Sequence, residues 1–272
     1  MVTIGAKGRA QLGNRLLDSL PLPDRRRVAA LLEREKGEHK QMLYDHGACI
    51  EALHFPVDAV ASILTTLSDG AGVEIATVGN EGMLGSLVLL GSDAMPTRTF
   101  CQIQVPGEML RMERASFVEA LSSNDSFRNV VQLYVQAFFS QIAQQVACNA
   151  LHSVEERCCR WLLLTHDRVH KDTFPITHEF LAQMLGVRRA SVTLAAGALQ
   201  AAGLISYRRG EMVILDREGL EDASCECYQL LRDEFDRLLG PTKAKGTADD
   251  PPPSRTVRRR PAKSPSRARA QG

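Results

Sequence analysis

Residues 177–204, THEFLAQMLGVRRASVTLAAGALQAAGL, decide the fold of this chain. The apolar spacing predicts two short helices joined by a tight turn, in which Gly186 supplies the left-handed residue that ends the first helix. A larger side chain than Ala182 would push the helices apart, and Val192 and Ala195 are one turn apart, so both can pack back on the first helix. The pattern indicates a helix-turn-helix; the alternative is an ordinary buried helical hairpin.

Two arginines, Arg188 and Arg189, open the second helix, at the end that enters the major groove of DNA in such motifs. We expect them to bind base edges, guanine above all, through bidentate hydrogen bonds. Ser191 and Thr193 are expected to contact phosphates or bases, and Leu194 a thymine methyl group. The further residues expected at this surface are Thr177 and Ala190.

A hairpin is predicted directly after the helix pair. Gly203 ends the second helix, and residues 204–215, LISYRRGEMVIL, contain two β-rich runs around an Arg-Arg-Gly tip. Arg208 and Arg209 at this tip would contact the DNA backbone. The alternative for these two arginines is a solvated hairpin tip.

The composition limits the classes of protein to which this chain can belong. A chain of 272 residues allows about two domains. We expect no membrane partner, because no apolar run approaches the roughly 18 residues of a span, and residues 1–9 lack the apolar core of a secretory signal. Seven scattered cysteines favour a reducing cytoplasm over a disulfide framework. No nucleophile elbow, phosphate loop or zinc-protease motif is present, so we expect neither an enzyme nor catalytic residues.

The net charge of +1 hides an asymmetry. Residues 241–272 hold nine Lys and Arg against two Asp, which leaves 24 basic and 30 acidic residues in 1–240. The tail is rich in Pro, Ser, Ala and Arg and is predicted to be disordered. It would act either as a non-specific phosphate-binding arm or as a solubilising tail.

The N-terminal half has a different pattern. Residues 14–35 predict helices broken at Pro21 and Pro23. Short β-like runs punctuated by glycine turns follow, and their spacing predicts an antiparallel roll or barrel. These runs are residues 41–44, 59–67, 73–78, 98–105 and 109–112.

A long helix is predicted over residues 124–151. Its apolar positions recur at steps of 4, 3 and 4, the rhythm of a coiled-coil seam, and predict a homodimer. The alternative is a helix that packs on the roll. The seam residues are Val131, Val135, Phe138 and Ile142.

These patterns divide the chain into five parts. They predict an α+β protein with an antiparallel roll or barrel, a long helix with a coiled-coil seam and a winged helix-turn-helix. The parts are an N-terminal arm with helices (1–36), a β-roll (37–120), the long helix (121–151), the helix-turn-helix domain (152–240) and the basic tail (241–272).

The order of these parts resembles the Crp/Fnr family of bacterial transcription regulators. The resemblance is most specific in HEFLAQMLGVRRASVT (178–193), CNALHSVEER (148–157) and EGMLG (81–85). It implies an antiparallel jelly-roll domain that senses an effector (37–120), a dimerisation helix (121–151) and a winged helix-turn-helix DNA-binding domain (152–240). The protein would be a regulator without enzymatic activity that binds palindromic double-stranded DNA as a dimer, is modulated by an effector at the roll and contacts RNA polymerase. A different class, a small-molecule sensor whose helix-turn-helix serves only for protein interaction, is the alternative.

The roll departs from cyclic-AMP-binding members of that family. Their Gly-Glu-Leu motif stands here as Gly85-Ser86-Leu87, so the carboxylate that meets the ribose is missing. Their Arg-Ser/Thr-Ala motif stands as Arg98-Thr99-Phe100, where Phe100 would narrow the pocket. Arg98 would pair with an anionic ligand or with Glu81. We expect an effector other than cyclic AMP at these residues, of unknown identity.

Cysteines and histidines offer weaker candidates. No N-terminal cysteine cluster precedes Cys49, which argues against an iron–sulfur centre. Cys158 and Cys159 fit buried small hydrophobes. Cys225-Glu226-Cys227 would bind a soft metal or form a redox pair, but lacks two further ligands in a recognised spacing, so structural cysteines and no metal are expected. His152 would be a proton-linked switch, or instead a helix-capping or surface histidine.

Arg189 matches the first arginine of the family's base-reading set, whereas Ala190 and Leu194 replace the others. The DNA sequence bound should therefore differ.

Overall fold

The computed structural model describes residues 11–240 except Asp69 and Ala71, so the predicted basic tail lies outside the described residues. The helices in this part of the chain are α1 (Arg15–Asp18), α2 (Leu22–Ala29), α3 (Arg114–Ser123), α4 (Asp125–Leu151), α5 (Val154–Val169), α6 (His178–Leu185), α7 (Arg189–Ala201), α8 (Arg217–Ala223) and α9 (Cys227–Leu239). None of these helices is long and apolar enough to cross a membrane.

Ten strands are present within the same residues, all paired antiparallel. The strands are β1 (Glu33–Gly37), β2 (Met42–Tyr44), β3 (Ala52–Pro56), β4 (Val60–Thr66), β5 (Gly72–Val78), β6 (Thr99–Val105), β7 (Gly107–Glu113), β8 (Thr173–Pro175), β9 (Ile205–Arg208) and β10 (Glu211–Ile214).

Two sheets form the predicted roll. One has the order β1-β7-β3 and the other β2-β6-β4-β5. Alternate residues of both sheets meet in one apolar core, in which Phe55, Ile103 and Met109 are fully buried. A short 3-10 helix, Ser86–Leu90, follows the last turn of the EGMLG segment.

The helical prediction for residues 14–35 is wrong at its end. Strand β1 begins at Glu33 and pairs with β7, so the roll starts before residue 37. Pro23 does not break a helix either. It lies in the first turn of α2, where a backbone N–H has no helical partner to lose.

Helix α4 runs for 27 residues from the cap Asn124, whose side chain accepts a hydrogen bond from the Phe127 N–H. Its first half completes the roll core, and Tyr134 donates a hydrogen bond to the Met83 carbonyl at 2.9 Å. Helix α9 packs along the same helix. His152 ends α4, and Ser153 with Glu156 forms a capping box that starts α5 two residues later. Helices α4 and α5 are therefore separated by a two-residue junction in which each residue caps one helix.

The described residues form one compact unit, because the helix-turn-helix domain packs on the roll. An apolar cluster combines Leu64 and Phe100 of the roll with Trp161 and Leu181 of the helical domain. At the turn after α6, a Cβ added to Gly186 would lie 2.9 Å from Val73 Cγ2 in β5. The two domains thus share a core.

Candidate nucleic-acid interface

Helices α6 and α7 have the predicted helix-turn-helix geometry. Thr177 caps α6 by accepting a hydrogen bond from the Phe180 N–H at 3.1 Å. Gly186 ends α6 with φ +62°, and Ala182, Val192 and Ala195 are buried between the helices. The small residues and the glycine therefore hold the positions that the sequence assigned to them.

The opposite face of α7 is open to solvent. Arg188 is the N-cap residue and Arg189 the first residue of the helix, and both are exposed. Arg189 Nη1 lies 3.9 Å from Glu179 Oε2, and both side chains are mostly exposed, so this ion pair is weak and available for exchange. On the same face, Ala190, Thr193 and Leu194 are exposed and Ser191 is half-buried.

Thr193 and His178 join the two helices to the hairpin that follows. His178 Nδ1 lies 3.1 Å from Thr193 Oγ1, and the His178 ring stacks on Tyr207 with centroids 4.2 Å apart. Burial, aided by the charge of Arg189, lowers the pKa of His178. The sequence prediction did not include His178 and Tyr207, although their positions one residue after Thr177 and one before Arg208 could have suggested them.

Strands β9 and β10 form the predicted hairpin, to which β8 adds a third strand. Arg208 faces Glu211 across the pair, so Arg209 and Gly210 make a two-residue turn. Both have positive φ, +53° and +84°, the signature of a type I′ turn. Arg208 and Arg209 are exposed at this tip, where the cap residue Thr177 is also near.

The predicted effector residues do not converge as the sequence suggested. Arg98 is exposed rather than buried, and its expected partner Glu81 instead binds Arg168 of α5. Phe100 belongs to the cluster shared with the helix-turn-helix domain, whereas Cys101 lies in the roll core. Since successive strand residues point to opposite faces, Phe100 does not narrow the interior of the roll.

The other half of that predicted site lies against packed side chains. Ser86 and Leu87 begin the 3-10 helix and are half-buried, as is Thr99. A Cβ added to Gly85 would lie 3.0 Å from Tyr44 Oη and 3.3 Å from Leu53 Cγ. The core of the roll thus closes against Gly85.

The four residues of the predicted seam do not lie on the exposed face of α4. Val131 is fully buried against the roll of its own chain, and Val135, Phe138 and Ile142 are only partly buried. Phe139 and Val146 are instead 72% and 67% exposed. The exposed face of α4 carries its own 4-3 repeat, which the sequence analysis missed, at Gln132, Gln136, Phe139, Ala143, Val146 and Ala150.

Comparison with known proteins agrees with this architecture. The family model described as the Crp-like helix-turn-helix domain matches residues 156–223. No significant match was found among curated protein sequences.

Solved structures with the same fold are numerous. A CRP-family transcriptional regulator from Thermus thermophilus has TM-score 0.58 and 18% identity, covering 70% of this chain and 96% of that chain. CLP, a c-di-GMP-responsive global regulator of Xanthomonas campestris, has TM-score 0.55 and 15% identity, with 71% and 99% covered. FixK2 from Bradyrhizobium japonicum has TM-score 0.55 and 13% identity, with 71% and 98% covered.

The β-roll, the long helix and the winged helix-turn-helix together form the architecture that these solved Crp/Fnr-family regulators share. The chain has the Crp/Fnr fold, and its residues 156–223 are a Crp-like helix-turn-helix domain, so the predicted resemblance to that family is confirmed.

Proposed function

We propose that this chain regulates transcription by binding a palindromic DNA site as a homodimer, under the control of an effector of the roll. The observation that carries the proposal is the open face of α7. Arg188 and Arg189 are exposed at the start of this helix, and the ion pair of Arg189 with Glu179 is long and solvent-exposed. Arginines at this end of a recognition helix can donate bidentate hydrogen bonds to guanine.

The hairpin tip supplies a second, chemically different contact. Arg208 ends β9 and Arg209 is the first residue of the two-residue turn, and the stacking of His178 on Tyr207 joins this hairpin to α6. Contacts to phosphates at the tip would add affinity and salt dependence without sequence preference. Base recognition and backbone contact are thereby assigned to separate elements.

The homodimer is supported by the apolar face of α4. Phe139 and Val146 lie 7 residues apart and are exposed in one chain, with Ala143 between them. Such a repeat buries well against its symmetry copy in a two-stranded seam. A dimer would present two recognition helices to a palindrome, and RNA polymerase would be a further partner at the promoter.

Selection of bound sequences from a random DNA pool tests the proposal. We expect a palindromic consensus, which Arg189→Ala should relax at one base pair in each half-site at a cost of about 1–3 kcal/mol. Arg208→Ala is the matched control, because it should weaken binding to all sequences alike. Selection that yields no consensus would favour the protein-interaction alternative, in which Leu194, 76% exposed, is a contact residue.

A further inference from the structure

Four potential metal ligands meet at the C-terminal end of α4, a site that the sequence analysis did not assign. Cys148 and His152 are one turn apart at the end of α4, and Cys225 and Cys227 flank Glu226, the N-cap residue of α9. Their ligand atoms, three Sγ and one imidazole nitrogen, all lie within 4.8 Å of one another. The three cysteines are buried, whereas His152 is half-buried.

The distances fit a single tetrahedral ion. Zinc–sulfur bonds are about 2.3 Å long, so two sulfurs on one tetrahedral ion lie about 3.8 Å apart. Cys148 Sγ and Cys225 Sγ are 3.6 Å apart, and Cys227 Sγ is 3.4 Å from His152 Nδ1. A disulfide would instead need sulfurs about 2.05 Å apart.

The surroundings match those of a metal–thiolate centre. His152 Nε2 lies 3.3 Å from Glu226 Oε2, a carboxylate that would orient the ring and raise the basicity of Nδ1. Gln144 Nε2 donates a hydrogen bond to Cys227 Sγ at 3.0 Å. The Cys227 thiolate would also stand in the first turn of α9, the positive end of the helix dipole.

Charge balance points the same way. Three thiolates and one divalent ion carry a net charge of −1. Buried Arg160 donates a hydrogen bond at 2.6 Å to the neutral Gln145 Oε1, about one helical turn before Cys148 on α4. An anionic centre would thus compensate a buried cation.

We propose that Cys148, His152, Cys225 and Cys227 bind one zinc-type ion. With four protein ligands the site is closed and structural rather than catalytic. Binding displaces the thiol protons to solvent, and the ion joins the end of α4 to the start of α9 at the junction from which α5 departs. The ion thereby fixes how the helix-turn-helix domain leaves the long helix.

Metal content and cobalt spectroscopy of the full chain test the proposal. Protein purified under reducing, anaerobic conditions should contain one equivalent of zinc per chain. Replacement by Co²⁺ should give the visible bands and the sulfur-to-cobalt charge-transfer band of a tetrahedral thiolate site. Cys148→Ser and Cys227→Ser should lose the metal, whereas Cys49→Ser, at an exposed cysteine outside the cluster, should retain it.

His152→Gln tests the metal site even if the variants of the buried cysteines do not fold. It should leave a folded chain with weaker metal binding and an altered cobalt spectrum, because three thiolates remain. A reduced wild-type chain with all seven thiols free that takes up neither Zn²⁺ nor Co²⁺ would overturn the proposal. So would a chain purified in the same way in which non-reducing peptide mapping shows a Cys148–Cys225 disulfide.

Discussion

Arg168 of α5 and Glu81 of the roll form a buried ion pair, with Nη2 2.7 Å from Oε1 and side chains only 5% and 8% exposed. Burial alone raises the pKa of Glu81, but the charge and hydrogen bonds of Arg168 outweigh it and hold that pKa below its usual value. Arg168 also donates to Thr77 Oγ1 at 2.6 Å. One guanidinium therefore joins the helix-turn-helix domain to the end of β5 and to the loop after it.

Glu81→Ala would leave the Arg168 charge buried and unpaired. We expect the free energy of unfolding to fall by about 3–5 kcal/mol, as measured by urea denaturation. Glu119→Ala, an exposed position in α3, is the control and should change it by no more than about 0.5 kcal/mol. Equal losses in the two variants would contradict a stabilising role for the pair.

The ion pair between Arg168 and Glu81 can also be disturbed by crowding the Arg168 side chain. A Cβ added to Gly79 would lie 2.4 Å from Arg168 Cγ, so Gly79→Ala must displace the arginine and destabilise the fold. Gly197→Ala is the matched control, since nothing lies within 4 Å of its added Cβ in the middle of α7. The control should gain about 0.5–1 kcal/mol of stability from reduced backbone entropy. Thermal unfolding of both variants should shift in opposite directions.

Glu74 makes stability depend on pH. It lies fully buried between the domains, where burial raises its pKa to about 7 despite hydrogen bonds from Ser62 and Trp161. The folded chain then holds a proton that the unfolded chain, with a pKa near 4.5, releases. The Glu74 contribution is therefore fully present below about pH 4.5 and decreases by about 3 kcal/mol as the pH rises to about 7.

Glu74→Gln should remove this component. The difference in unfolding free energy between the wild type and the variant should change with pH between about 4.5 and 7 and be constant above that interval. Parallel pH profiles for the two proteins would show that Glu74 does not bind the extra proton in the folded state.

The assembly prediction contrasts two adjacent phenylalanines of α4. Phe139→Asp places a charge on the exposed face and should give folded monomers in analytical ultracentrifugation. Phe138→Asp should instead destabilise each chain, because the Phe138 ring stacks on buried Tyr134 with centroids 5.9 Å apart. A wild-type chain that sediments as a monomer at micromolar concentration would refute the proposed dimer.

A substitution of Arg209 should change the stability of the chain and its affinity for DNA in different ways. Its left-handed backbone costs a non-glycine residue about 1–2 kcal/mol, so Arg209→Gly should stabilise the hairpin or leave it unchanged. The same variant should bind every DNA sequence more weakly and reduce the dependence of affinity on salt by roughly one counterion per site. Unchanged affinity and salt slope would exclude Arg209 from the interface.

The helix-turn-helix was predictable because its signals are local. Gly186 and Ala182 each have a steric reason that depends only on neighbours within a few residues. Strand β1 was missed for the opposite reason: Glu33–Gly37, EREKG, is a charged strand at a sheet edge and shows no apolar alternation. Its place in the sheet depends on pairing with β7, which lies far along the chain.

The candidate sites outside that motif depend on contacts that no local pattern contains. Helix α4 carries two apolar repeats, and only its packing on the roll decides that Val131 faces inward and Phe139 outward. Cys148 and Cys225 are 77 residues apart in sequence, so the C-x-C pair could not reveal the other two potential ligands. The predicted pairing of Arg98 with Glu81 failed for the same reason, because the sequence does not show that Arg168 binds Glu81.

The apolar cluster shared by the roll and the helix-turn-helix domain has a consequence for evolution and for engineering. Recombination at the α4–α5 junction would separate Phe100 and Leu64 from Trp161 and Leu181, exposing apolar surface on both fragments. A chimera that borrows another DNA specificity must therefore bring matching residues on β4 and β6. Natural variation in specificity is then expected on the open face of α7, where Arg189 can change without disturbing that core.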